Sequence, residues 1–397
     1  MLKGTAFIIL IAGCFSLLQC QTNPKPSPLD MAEKMAESVM KRAPSAWMTD
    51  YVKRPKWEYT QGLVCKSFEQ LYQITGKQSY FDYEKGYADT LILNDGTILN
   101  YKKEEYNIDQ INSGKILFML YSKTNDPKYK IAIETLRDQM RTHPRTSGGG
   151  FWHKLRYPNQ MWLDGLYMGS PFLAEYAIKF NEPELLDDVV NQFITVQKYT
   201  LDAKTGLNYH GWDESKQQKW ANPQTGQSPH FWGRAMGWYC MALVDVLDFI
   251  PENHPKRSEN IDILQKTMTA VVTVQDSTSG VWYQVLDQGN RKGNYLESTA
   301  SCMFVYSMLK AVRKGYIPKT FLTQATKGYN GILKNFIKEN PDSTISLTQC
   351  CSVAGLGGNP YRDGSYEYYI GEPIRDNDPK GVGPFIMACI EMDQVKK

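Results

Sequence analysis

A closed ring of helical hairpins, all-α with (α/α)6 barrel architecture, is the fold class that this 397-residue sequence predicts. Three observations predict it. Apolar residues recur at helical spacing, as in Ile111, Ile116, Leu117 and Leu120 or Ala242, Val246 and Phe249. Strand-like alternation is confined to short pieces such as Val281–Val285. A helix–turn–helix unit also recurs about every 50 residues, which over the chain gives six or seven hairpins.

The repeat is visible in three places. Leu71-Tyr72 to Tyr80, Leu120-Tyr121 to Tyr129, and Glu175-Tyr176 to Glu184 share a helix end, a tight turn with Gly or Asn, and a second helix opening on a polar residue or Pro. The tyrosines 72, 121 and 176 stand 49 and 55 residues apart. Long Gly- and aromatic-rich loops fall between hairpins, as expected of a barrel with its functional loops on one rim.

Residues 1–20 predict an export signal, with Lys3 followed by an apolar run, Ala6 to Ala12, too short to span a bilayer. Cys14 and Cys20 each follow a stretch resembling a bacterial lipoprotein cleavage box, though Gln19 stands where a small residue is usual. Residues 21–30, rich in Pro, predict an extended tether, and 31–397 a single (α/α)6 domain. The expected location is the periplasm or the outer membrane of a bacterium, with a lipid anchor as one possibility.

A formal charge of +3 supports neither nucleic-acid nor membrane-surface binding, so an anionic ligand has to be met by a local Arg or Lys. The generous aromatic content, 25 Tyr, 9 Trp and 15 Phe, suits sugar stacking, although most of these rings are expected to fill helix interfaces. Six cysteines follow the signal. Cys65, Cys240, Cys302 and Cys389 sit in apolar helical patterns, where buried free thiols are common, and whether any of the six, Cys350 and Cys351 included, form pairs stays open. With five His and no CxxC or HExxH, no metal site is expected. A monomer is the default expectation.

Three loop-to-helix junctions concentrate chemistry. Asp109 lies in Tyr106-Asn-Ile-Asp-Gln-Ile-Asn, where it or Asn107 could simply cap a helix. The second junction runs from Gly148-Gly-Gly through Trp152, His153 and Trp162 to Asp164. Its glycines admit a close backbone approach. An Asp beside a Trp at the mouth of an apolar helix is costly to bury, unless it caps the helix or something needs it there. The third holds His210, Trp212, Trp232, Arg234 and Trp238, and the four-residue spacing of Arg234 and Trp238 would let them stack.

Two of these motifs, Tyr157-Pro-Asn-Gln-Met-Trp-Leu-Asp-Gly-Leu-Tyr-Met168 and Ser228-Pro-His-Phe-Trp-Gly-Arg-Ala-Met-Gly-Trp238, resemble glycoside hydrolase family 105, the unsaturated rhamnogalacturonyl hydrolases. The likeness runs from about Trp57 to the C-terminus. It implies an (α/α)6 barrel, Asp164 as general acid/base, Asp109 as the second essential carboxylate, and a sugar pocket shaped by His153, Trp162, His210, Trp232, Arg234 and Trp238. The family often carries a second acid after the first Asp, where this chain has Gln110.

The implied reaction is hydration of the C4=C5 double bond of a terminal unsaturated galacturonic acid on a rhamnogalacturonan or pectin oligosaccharide. It needs one carboxylic acid able to give and reclaim a proton, and no cofactor. Sugar epimerases on this barrel rely on paired His bases and fit less well. An unsaturated glucuronyl hydrolase acting on glycosaminoglycan fragments and an inactive glycan-binding lipoprotein are the remaining alternatives. The Tyr-rich segment Gly355 to Tyr369 is either a rim loop over the substrate or a long packed connection.

Overall fold

The computed structural model describes Met1 and residues 26–396. The expected export signal, Cys14, Cys20 and most of the tether lie outside the described residues. The end of the tether does not: Ser27 caps a helix that starts at Pro28, with a reciprocal Ser27–Asp30 capping box. The predicted boundary at residue 31 is therefore about one turn late. Proline at the first helical position, which suggested an extended segment, is here the favoured N1 residue.

The helices are α1 (Pro28–Arg42), α2 (Tyr59–Thr75), α3 (Gln78–Leu91), α4 (Leu117–Thr124), α5 (Pro127–Thr142), α6 (Leu163–Lys179) and α7 (Leu185–Thr200). After them come α8 (Gly233–Val246), α9 (Arg257–Thr273), α10 (Ser298–Arg313), α11 (Phe321–Asn335), α12 (Tyr366–Gly371) and α13 (Pro379–Val395). Five of them and the segment Ile108–Ile116, which runs into α4, close an inner ring, in the order α2, Ile108–Ile116, α6, α8, α10, α13 and back to α2. The outer ring lays α3, α5, α7, α9 and α11 on the inner helix before each, and α1 on α13. The N-terminal helix thus completes the last hairpin, which makes the fold an (α/α)6 barrel. Inner helices such as α10 and α13 are apolar nearly all round because both of their faces are covered.

The repeated tyrosines mark one structural device. The backbone carbonyls of Tyr72, Tyr121 and Tyr176 accept the C-cap N–H of Gly76, Asn125 and Phe180 at 2.8, 2.8 and 2.9 Å. Gly76, Asn125 and Asn181 adopt positive φ to turn the chain into the outer helix. Two local expectations are corrected. The stretch Ile108–Ile116 is 3₁₀ rather than α-helix, and Phe249 lies beyond the end of α8. The Val281–Val285 alternation forms only isolated bridges, Tyr283 to Leu296 and Trp232 to Val285.

All six inner segments start at the same rim. Their unpaired N–H groups and positive dipole ends converge there, which favours negative charge at that mouth of the barrel. All six cysteines among the described residues are free and buried. No helix among the described residues is long and apolar enough to cross a membrane.

Candidate active site

Asp109 and Asp164 enter this rim from neighbouring inner segments, and neither is a helix cap. Asn107 takes the capping role ahead of the 3₁₀ segment, its side chain accepting from the Asp109 N–H at 3.2 Å. Asp164 is the second residue of α6, whose N-cap Trp162 makes no side-chain cap bond. Both carboxylates keep some access to solvent, at 13% and 14% of the side chain.

Their surroundings differ. Lys154 Nζ lies 2.5 Å from Asp109 Oδ2, and His153 Nε2 lies 3.4 Å from Oδ1. Burial pushes the Asp109 carboxyl up, but Lys154 and His153 outweigh it and hold it below its ordinary value. Burial pushes the His153 imidazole down to about 4, so its contact with Asp109 is that of a neutral ring rather than an ion pair. His153 stacks on Trp162 with centroids 4.2 Å apart, and Tyr157 lies 4.9 Å from Trp162 and 6.4 Å from His153, so the three rings form one cluster. The close approach of α6 to this stack depends on Gly165, where a Cβ would sit 3.2 Å from His153 Nδ1.

Asp164 answers to His210. A two-stranded antiparallel sheet, β1 (Gln160–Trp162) and β2 (Gly211–Asp213), pairs Trp162 with Gly211, and the Leu163 N–H donates to the His210 carbonyl at 3.0 Å. This register brings His210 Nε2 to 3.2 Å from Asp164 Oδ2, a close contact in which neither buried atom has a hydrogen-bond partner. The other imidazole nitrogen, Nδ1, lies 2.7 Å from the Tyr369 hydroxyl.

Arg234 is 1% exposed and forms no ion pair among the described residues. One guanidinium nitrogen donates to the Cys351 carbonyl and Nε has no partner. Its predicted stacking on Trp238 is not what forms. The guanidinium lies 4.7 Å from the Trp232 ring, while Trp238 stacks on Tyr167 at 4.8 Å and meets Tyr59 edge-on. The helical spacing was right, but Trp238 points down the bore, and Trp232, one residue before the helix begins, folds back over the arginine. Trp212, expected beside the pocket, has its face covered by Tyr199 at 4.0 Å and its indole N–H on the Thr225 carbonyl.

Several residues escaped the sequence reading. Lys154 follows His153 directly, and its pairing with Asp109 depends on how the loop folds. Tyr369 and Arg362 come from the Tyr-rich segment, which is now seen as part of the site. Arg362 donates to the Tyr157 hydroxyl at 2.8 Å and lies 5.8 Å from the Trp162 ring. Beside Lys154 opens a recess of about 500 Å³ lined by Glu104, Glu105, Asn107, Leu155 and Arg156.

A toroid that keeps one carboxylate ionised and leaves another beside an imidazole, with an unpaired guanidinium near by, is built as an acid–base enzyme for an anionic substrate. The Glycosyl Hydrolase Family 88 model matches residues 31–396, and the chain belongs to that family of glycoside hydrolases. A glycoside hydrolase from family 105 of C. acetobutylicum ATCC 824 has the same fold, at a TM-score of 0.88 and 48% identity over 91% of this chain and 99% of that one. Protein Atu3128 of Agrobacterium fabrum is 40% identical over 56% of this chain and 97% of its own length. The unsaturated rhamnogalacturonyl hydrolase YesR of Bacillus subtilis is 26% identical over 64% of this chain and 71% of its own.

Proposed function

We propose that the enzyme removes a terminal 4,5-unsaturated galacturonic acid from rhamnogalacturonan oligosaccharides by hydrating the C4=C5 bond. The observation that carries this reading is the unequal treatment of the two carboxylates. Asp109 is held ionised by Lys154, whereas Asp164 has only His210 at its buried oxygen. Protonated Asp164 delivers its proton to C4, and the positive charge that develops is shared between C5 and the ring oxygen. The Asp164 carboxylate then takes a proton from the water that attacks C5. The resulting hemiketal opens and releases the rest of the oligosaccharide as an alcohol. Asp109 offers a fixed negative charge to the cationic stage, and the unpaired Arg234 provides a partner for the uronate carboxylate. Because the chemistry is hydration, the carboxylate-spacing rule for retaining and inverting glycosidases does not bear on it.

Rhamnose as the adjoining sugar is supported by the likeness to the rhamnogalacturonyl hydrolase YesR and by the two long motifs. The test is the loss of the ultraviolet absorbance of the conjugated uronate, followed on lyase digests of rhamnogalacturonan, chondroitin and heparin side by side. Turnover of the rhamnogalacturonan digest is expected to be fastest. Absence of turnover on all three would overturn the reading.

A further inference from the structure

Oδ2 of Asp164 is buried, so the solvent access of that side chain lies on its other atoms. A proton resting on Oδ2 is out of a substrate's reach, and a proton on Oδ1 is not. Something must therefore decide which oxygen carries it. Oδ2 faces His210 Nε2 at 3.2 Å, and His210 itself is fully buried. A neutral imidazole has one N–H, and the partner of one ring nitrogen determines which nitrogen carries it. At Nδ1 that partner is the Tyr369 hydroxyl, 2.7 Å away and also fully buried.

We infer that Tyr369 is a positioning residue that donates its hydroxyl hydrogen to His210 Nδ1, so that the Nε2–H dipole is the side of the ring set against the unpartnered Asp164 Oδ2, 3.2 Å away, and the transferable proton is confined to Oδ1. Burial raises the Tyr369 phenol well above its ordinary range, so it has a hydrogen to donate throughout the neutral region. In the opposite arrangement the imidazole donates to the phenol oxygen. The phenol hydrogen then has no acceptor, since His210 is the one hydrogen-bond partner of that hydroxyl among the described residues, and the Nε2 lone pair faces Oδ2. That arrangement is tolerable only if Oδ2 holds the proton, where it is useless. The Tyr369 ring is fixed independently, stacked on Trp232 at 5.9 Å and 16°. The hydroxyl can therefore be removed without moving the ring. This inference rests on Asp164 being the proton donor.

The experiment uses the full chain labelled with ¹⁵N-histidine, the His210 signals being identified by their loss in His210→Gln. The native protein is expected to show the Nε2–H tautomer of His210, and Tyr369→Phe a loss of that preference. In the same variant kcat should fall about ten- to a hundredfold, with KM changed by less than roughly threefold. A native His210 that is Nδ1–H or doubly protonated overturns the inference, as does an unchanged spectrum in Tyr369→Phe or a tautomer change with unaltered kcat. If Asp164→Asn retains full turnover, the role of Asp164 falls, and the spectra still report separately on the Tyr369–His210 bond.

Discussion

The two Asp–His pairs of this barrel use the same side chains to opposite ends. Asp109 meets a neutral His153 and a lysine, and the lysine makes it a permanent carboxylate. Asp164 meets a histidine backed by a tyrosine hydroxyl, with no cation in contact. A salt bridge fixes charge, whereas an imidazole that can change tautomer can face a group both with and without its proton. The difference teaches that a candidate proton donor is recognised less by its neighbours' identity than by what those neighbours leave unfixed. Elsewhere in the bore Lys310 pairs with Asp245 and Asp248 at 2.6 and 2.7 Å, a closed network on the pattern of Asp109 and not of Asp164.

Removing the proton from the mobile pair should have the largest effect. Asp164→Asn keeps the shape but cannot give and reclaim a proton, so turnover should fall by ~10²–10⁴ or more with the fold retained. A well-folded variant with near wild-type rate would exclude the assignment. Next comes the anion partner that both pairs share a rim with. In Arg234→Ala, kcat/KM should drop by roughly two orders of magnitude, because a buried charge contact to the substrate is lost. The variant should also discriminate less between free and esterified uronates. If the preference for the free acid keeps its size, Arg234 serves the fold and another cation holds the carboxylate.

The outer part of the substrate should matter less. Unsaturated galacturonate on rhamnose is expected to be favoured over unsaturated uronates on hexosamine by ~1–3 kcal/mol in kcat/KM, the worth of a hydroxyl or methyl difference in an apolar pocket. With Trp212 committed to Tyr199, the aromatic group left for that role is Trp152. Equal kcat/KM values on the two disaccharides would move the enzyme to the glucuronyl type without touching the contrast between the pairs.

The smallest effect sharpens the fixed pair. Asp109 has a depressed folded-state value, so its contribution to stability is present above the ordinary Asp range, about pH 4, and is lost as pH falls through the folded value. Lys154→Met removes the main force depressing it. Acid unfolding and the acid limb of the activity profile should then both begin at higher pH, with a loss of only about tenfold near neutrality. Unchanged acid limbs in Lys154→Met would mean that the Asp109 charge does not depend on Lys154.

Much of the site was legible because its residues sit in motifs. Asp109, Asp164, His153, His210 and Arg234 each stand at a helix start or in a Gly-rich loop, where a polar side chain of that type is costly without a use. The cap alternative for the two aspartates could not be dismissed from the sequence. Asn107 takes that role for one, and the other is left beside His210. Trp238 was misplaced for a plain reason: helical spacing says which residues share a face, not which way a ring turns once Tyr167 and Tyr59 compete for it.

By itself, then, the sequence determined the ring. A 3.6-residue apolar period and a repeated Tyr followed by a left-handed turn are local signals, and they recur often enough to force hairpins that can bury their faces only against one another. Which hairpin closes the ring was decided by tertiary packing, where α1 docks on α13 some 350 residues away. The same holds for the chemistry. Lys154 on Asp109, Tyr369 on His210 and Arg362 on Tyr157 join loops up to 205 residues apart. Such contacts leave no periodic trace, because each is a single bond made when separate loops meet on one rim.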